Sequence, residues 1–200
     1  ADLNTGSVAV QTTIRNYMNG LLGMGVAGFR IDATKHMLAS DIEGFLAGLN
    51  NTNWGARPYI FTEVIEAANE PVKEYEYFYD GDVTEFEVPN TLAWTFSGVG
   101  SCNGKLSDLA SFTTGSSYMA SSFAQVFVDN HDNQRGQGTS NPCIVTYKDG
   151  VIHNLANVFL LAWPYGYPSV MSSYYFSTND QGPPSTLIYS GGSPTGCNGT

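Results

Sequence analysis

The sequence predicts an α/β fold, a parallel sheet whose strands alternate with helices. Three observations predict it. Segments with helical spacing of apolar residues alternate with short, nearly continuous apolar runs. Gly, Pro or Asp-Gly punctuation separates one segment from the next. Three of the apolar runs stop at a carboxylate: Asp32 after Gly28-Phe29-Arg30-Ile31, Glu63 after Tyr59-Ile60-Phe61-Thr62, and Asp132 shortly after Val126-Phe127-Val128. A buried strand that ends on an acid delivers that side chain to the rim of a parallel sheet.

The elements follow in order. Ile14, Tyr17, Met18, Leu21 and Leu22 give helical spacing from Val8 to Leu22, and Gly23 and Gly25 end it. Val26 to Asp32 reads as a buried strand. A short helix is expected over Asp41 to Leu49, with Ser40 as N-cap and Glu43 completing a capping box. Pro58 opens a strand at Tyr59 to Val64. A helix is expected from Asn69 to Tyr79, closed by Asp80-Gly81, and a strand from Val83 to Val88. Ser107 to Tyr118 reads as loop with weak helix, and Ala124 to Asn130 as a fourth strand. After the Gly/Ser stretch 136–141, Ile152, Leu155, Ala156, Phe159 and Leu160 mark one face of a helix over Val151 to Trp163. Pro164-Tyr165-Gly166 stops it, and Tyr167 to Ser172 is the fifth strand. The tail from Thr178 is rich in Gly, Pro and Ser.

Five strands joined through helices imply right-handed parallel crossovers. An open doubly wound sheet and a slice of a barrel both satisfy this. No Gly-rich phosphate loop follows the first strand, and strand-end acids spread over several strands favour the barrel. Eight barrel strands normally need roughly 250 residues. The expectation is therefore the C-terminal part of a (β/α)8 TIM barrel. It forms one partial catalytic domain over 1–200, with no linker or repeat marking a second.

Composition narrows the function classes. The 200 residues carry a formal net charge of −10, which argues against nucleic acid, since phosphate binding needs clustered Lys and Arg. Only 13% of residues are charged, so Ser, Thr, Asn and Gly must build much of the surface, as in many secreted proteins. No apolar run approaches the roughly 20 residues of a membrane span. Three Cys stand at 102, 143 and 197, so at least one lacks a partner within the chain. The three His are not at zinc-ligand spacing and no CxxC occurs. Calcium takes oxygen ligands, including backbone carbonyls, which sequence shows poorly.

Each acid has a bland reading beside the chemical one. Asp32 could cap a helix starting at Ala33. Glu63 could form a surface ion pair, although a Glu inside Ile60-Phe61-Thr62-Glu63-Val64-Ile65 should be partly desolvated, which favours the protonated form a general acid needs. Asp132 could belong to a polar turn, but Asn130-His131-Asp132-Asn133 is dense in functional side chains. Arg30 lies two residues before Asp32, so on a strand both point the same way. A cation there keeps Asp32 ionised, as a nucleophile must be. Lys35, His36 and His131 could bond sugar hydroxyls or simply be solvated. Three rim acids can supply the acid, nucleophile and charge stabiliser of glycosidic-bond cleavage.

Gly28-Phe29-Arg30-Ile31-Asp32-Ala33-Thr34-Lys35-His36, Phe61-Thr62-Glu63-Val64-Ile65 and Phe127-Val128-Asp129-Asn130-His131-Asp132 resemble three conserved regions of the alpha-amylase family, in its animal and actinobacterial form. Their order suits the family's fourth, fifth and seventh barrel strands. Val170-Met171-Ser172-Ser173-Tyr174 resembles the eighth, so the resemblance covers nearly the whole chain. It implies a secreted, retaining enzyme that cleaves α-1,4-glucosidic bonds within starch, glycogen and related glucans, monomeric when full length. Asp32 matches the nucleophile, Glu63 the acid/base, and Asp132 the acid that stabilises the transition state. Arg30 matches the residue that holds the nucleophile ionised. Lys35, His36, Ile65 and His131 match substrate-contacting positions. Asp2 and the His36 backbone carbonyl match calcium-binding positions. Residues 136–140 correspond to a Gly-rich loop over the cleft.

Two departures stand out. Members that bind chloride use two basic residues and an Asn. Arg30 and Asn130 match, but Tyr175 falls where the second basic residue belongs, so chloride is not expected. The family's first strands, its small calcium-holding domain and its C-terminal β domain have no counterpart here. The resemblance thus implies a barrel truncated at both ends, with an incomplete calcium site and, as an isolated fragment, no activity. Cys197 resembles a cysteine whose partner lies further along, which leaves Cys102 and Cys143 as a possible pair. Two alternatives share these residues: a related α-glucan transglycosylase, in which a sugar hydroxyl replaces water, and a non-catalytic glucan-binding fragment.

Overall fold

Five parallel strands pair in the order in which the chain makes them: β1 (Gly28–Ile31), β2 (Tyr59–Thr62), β3 (Asp82–Thr84), β4 (Ala124–Val126) and β5 (Tyr167–Pro168). Sequential parallel order with helical crossovers is what a barrel requires and a doubly wound sheet lacks. The computed structural model describes residues 3–66, 70–98, 100–137, 141–183, 189–190 and 193–194. The short strands Tyr189–Ser190 and Ser193–Pro194 form a separate antiparallel pair.

Register follows from close backbone approach. Gly28 stands opposite Tyr59, and a Cβ at Gly28 would lie 2.3 Å from the Tyr59 carbonyl oxygen. Only glycine fits there. That pairing sets Arg30 against Phe61 and Ile31 against Thr62, so β1 and β2 end level with each other.

Two cores hold the helices on the sheet. α1 (Val8–Gly23) and α2 (Ala39–Leu46) bury Leu22, Ile42 and Phe45 against Val64 and Val83. α3 (Glu87–Phe96) and α4 (Val151–Ala162) bury Val88, Leu92 and Leu160 against Val126 and Val128. Cys102 and Cys143 are disulfide-bonded, against Ala93 of α3. Cys197 lies outside the described residues. Among the described residues, no helix is long and apolar enough to cross a membrane.

Several elements differ from expectation. α2 begins at Ala39, one residue ahead of the expected Ser40 cap, and no side chain caps it. Asp41 in its first turn opposes the helix dipole charge instead, and it accepts a 2.7 Å hydrogen bond from Thr5. Between Asn69 and Tyr79 there is a single 3-10 turn, Glu74–Tyr77; residues 67–69 fall outside the description. The expected strand Val83–Val88 stops at Thr84, and its second half is the start of α3. Pro89 is compatible with that helix because its first turn needs no donor there. The buried Glu85 accepts the Glu87 amide at 3.0 Å and so caps the helix start. α4 is rotated from the expected face. Ala156, Asn157 and Leu160 are buried, while Leu155 is half exposed.

Candidate active site at the carboxyl rim of the sheet

β1 and β2 end level, so the residues just beyond them, Asp32 and Glu63, lie on the same rim. Arg30, the third residue of β1, connects them. Its Nη1 sits 2.5 Å from Asp32 Oδ1 and its Nη2 2.8 Å from Glu63 Oε1. The second contact is an ion pair without hydrogen-bond alignment. The guanidinium therefore spans two carboxylates of different exposure. The Asp32 side chain is 70% exposed and that of Glu63 is 9% exposed.

The backbone after Asp32 completes the pocket for Glu63. Ala33 adopts the left-handed conformation, φ 48°, which a non-glycine residue enters only at a cost of roughly 1–2 kcal/mol. That conformation aims its amide at Glu63 Oε2, 3.0 Å away. The turn is fixed by Thr34, whose hydroxyl donates to the Ile31 carbonyl at 2.7 Å and whose amide donates to the Glu63 carbonyl at 3.0 Å. Strain of this kind concentrates at functional sites. Glu63 is buried, as expected, but its surroundings are polar: both carboxyl oxygens face donors.

Asp132 follows β4 by six residues, beyond the carboxyl end of its strand. Its turn is self-locking. Asn130 Oδ1 accepts the amides of Asp132 (3.0 Å) and Asn133 (2.8 Å), and Asn133 Oδ1 accepts the amide of Asn130 (2.7 Å). His131 Nε2 lies 3.5 Å from Asp132 Oδ2, and both side chains are open to solvent. All three acids thus lie beyond the carboxyl ends of parallel strands. Arg30 joins two of them; the described contacts do not join Asp132 to that pair.

The remaining candidates divide. Lys35 is committed to protein partners: its Nζ donates to the Ile65 carbonyl at 3.1 Å and to Glu70 Oε2 at 2.6 Å. It ties the loop after β1 to the loop after β2. Ile65 is half-buried, and His36, in the 3-10 turn Thr34–His36, is exposed. Asp2 lies outside the described residues. Among those residues, no three His, Cys, Asp or Glu side chains cluster as a metal site would require. A groove of about 830 Å³ opens at the opposite end of the sheet, lined by Tyr59, Phe78, Asp80 and Phe123 among others, and none of the three acids lines it.

Sequence reasoning missed the Arg30–Glu63 contact, the Ala33 amide and the buried Glu85. Only Glu85 left a sign, as a lone acid in Val83-Thr84-Glu85-Phe86.

Fold and site together define part of a TIM barrel with a carboxylate-rich carboxyl rim. No protein-family model matches the chain. Individual proteins do. Human alpha-amylase 1B is 45% identical over 179 residues, which is 86% of this chain and 34% of the human protein. Wild-type alpha-amylase I of Eisenia fetida superposes with a TM-score of 0.87 at 36% identity, covering 99% of this chain and 42% of the earthworm chain. A mutant of the same enzyme, in complex with maltohexaose, gives a TM-score of 0.82 at 38% identity, covering 88% of this chain and 36% of that one. The chain belongs to the alpha-amylase family and is a partial member of it. It spans about a third of the length of the curated relatives it matches.

Proposed function

We propose that this chain is part of the catalytic domain of a secreted enzyme that cleaves α-1,4-glucosidic bonds within starch, glycogen and related glucans, with retention. The observation that carries this reading is the Arg30 bridge, which holds an exposed carboxylate and a buried one on one rim. Asp32 is the nucleophile. Its exposure leaves it open to an anomeric carbon, and Arg30 Nη1, 2.5 Å from its Oδ1, fixes its orientation. Glu63 is the acid/base. It protonates the glycosidic oxygen as Asp32 forms the glycosyl-enzyme, then deprotonates the water that hydrolyses that intermediate. Since both its oxygens face donors, one of them must release its contact as the glucan binds. Asp132 stabilises the oxocarbenium-like transition state. Lys35, His36, Ile65 and His131 line the substrate path, with Lys35 acting through the loop it anchors. The maltohexaose held by the Eisenia fetida relative supports an oligosaccharide ligand.

Among the described residues, no three His, Cys, Asp or Glu side chains form a cluster that would hold a calcium ion. A calcium ion would take Asp2 and the His36 carbonyl together with ligands outside this chain. Tyr175, where a second basic residue would belong, supports a reading without chloride. The disulfide and the acidic, charge-poor composition support an extracellular setting.

In the full-length protein, Asp32→Asn or Glu63→Gln is expected to abolish turnover of soluble starch while starch binding persists. Near-parental turnover by either variant would refute the assignment.

A further inference from the structure

Asp129 precedes the turn that carries Asp132 and is 2% exposed. The apolar run Val126-Phe127-Val128 carries it inward, and burial pushes its carboxyl above the usual aspartate range, against the pull of His153. Its Oδ1 lies 2.9 Å from Nε2 of His153, on the first turn of α4, whose side chain is 12% exposed. Its Oδ2 has no partner. One helical turn further on, Asn157 Nδ2 donates to the His153 carbonyl at 2.9 Å; it also lies 3.1 Å from Nε2, but that nitrogen is the one that faces Asp129, and when it donates there it cannot accept from Asn157. Asp149, before α4, adds a further negative charge near Asp129.

This arrangement is an expensive way to fill space. A buried ionisable pair costs desolvation that an apolar pair of the same volume avoids, and it serves best where it specifies one geometry. The geometry at stake is that of the Asn130–Asn133 turn. The turn is closed by its own side chains, and Asp129 precedes it on the segment that leads out of β4. We propose that His153 is a positioning residue. Through Asp129 it fixes the direction in which the Asn130–Asn133 turn presents Asp132 to the glucan. The inference rests on the role proposed above for Asp132 and extends it to a residue on the outer helix layer.

The test uses the full-length protein and soluble starch. His153→Phe keeps a ring but removes the bond to Asp129, whereas His153→Gln keeps a donor. Because Asp132 is assigned to the transition state, kcat should fall about tenfold or more in His153→Phe while KM stays within roughly twofold. His153→Gln should recover most of that loss. In an Asp132→Asn background, His153→Phe should cost little further, since residues acting as one unit are not additive. Should His153→Phe fail to fold, His153→Met, which also lacks a donor to Asp129, gives the same comparison. Unchanged kcat in a folded His153→Phe, or the same fold-loss with and without Asp132, overturns the inference and leaves the functional reading standing. Full turnover by Asp132→Asn overturns both.

Discussion

The guanidinium of Arg30 lies 2.8 Å from the carboxylate of Glu63, across the pairing of β1 with β2. Sequence spacing assigned Arg30 to Asp32 alone. The strand register adds the second carboxylate, because Arg30 stands opposite Phe61, two residues before Glu63. One cation therefore separates two groups that retaining chemistry needs within roughly 5–5.5 Å of each other.

Replacing Arg30 should accordingly damage both groups. Arg30→Lys keeps the charge but loses the planar fork that reaches two carboxylates. In the full-length protein, kcat on starch is expected to fall at least about tenfold, with a smaller change in KM. Unchanged kcat would mean that the bridge is only structural.

Asp80 offers a pH test. It is 5% exposed, neither carboxyl oxygen has a partner, and burial together with nearby Glu43 pushes it up to about 7 from the usual 3.8. The folded protein therefore keeps the proton where the unfolded chain has lost it. Stability should fall as pH rises from 3.8 to about 7 and level off above that. Asp80→Asn removes this slope. Melting temperatures at pH 4 and pH 8 should differ less in the variant than in the parent, by the equivalent of about 4 kcal/mol at most. Equal slopes in the two proteins would sink the argument.

Glu85 tests the polar core. It is fully buried and accepts from three donors: the amides of Glu87 (3.0 Å) and Met119 (2.9 Å) and the hydroxyl of Tyr165 (3.0 Å). Glu85→Ala takes the acceptor from the Glu87 and Met119 amides, at about 1–3 kcal/mol each, while the Tyr165 hydroxyl keeps the Met119 carbonyl at 2.8 Å. Urea unfolding should show a loss on the order of 3 kcal/mol or more, and Glu85→Gln a smaller one. A loss below about 1 kcal/mol for the alanine variant would show that water replaces the carboxylate.

The 200-residue chain by itself should self-associate and lack amylase activity. Its described sheet pairs β1 only with β2 and β5 only with β4, which leaves two strand edges as templates for pairing. The outer face of α4 adds exposed Val151, Leu155, Val158 and Leu161. Size-exclusion chromatography should show aggregates; a monomer that melts cooperatively and cleaves starch would contradict the expectation.

The sequence by itself determined the alternation of helix and strand, the parallel class and the placement of Asp32 and Glu63 at strand ends, whereas Asp132 sits in a turn six residues past β4. These are local properties: apolar period, glycine and proline punctuation, and the abrupt end of an apolar run. Family resemblance then pointed to the barrel and to the three acids. Tertiary structure decided what depends on neighbours distant in sequence. It turned the residues after Thr84 into the start of a helix, whose Glu87 amide donates to the buried Glu85. It rotated α4 so that polar His153 and Asn157 face inward, because Asp129 on β4's extension needs a partner and an apolar stripe cannot supply one. It gave Arg30 a second carboxylate through strand register, and it placed Ala33 in a strained conformation to bring its amide to Glu63. A side chain's position along the chain follows from local period, but its partner is set by which strands and helices come to lie side by side.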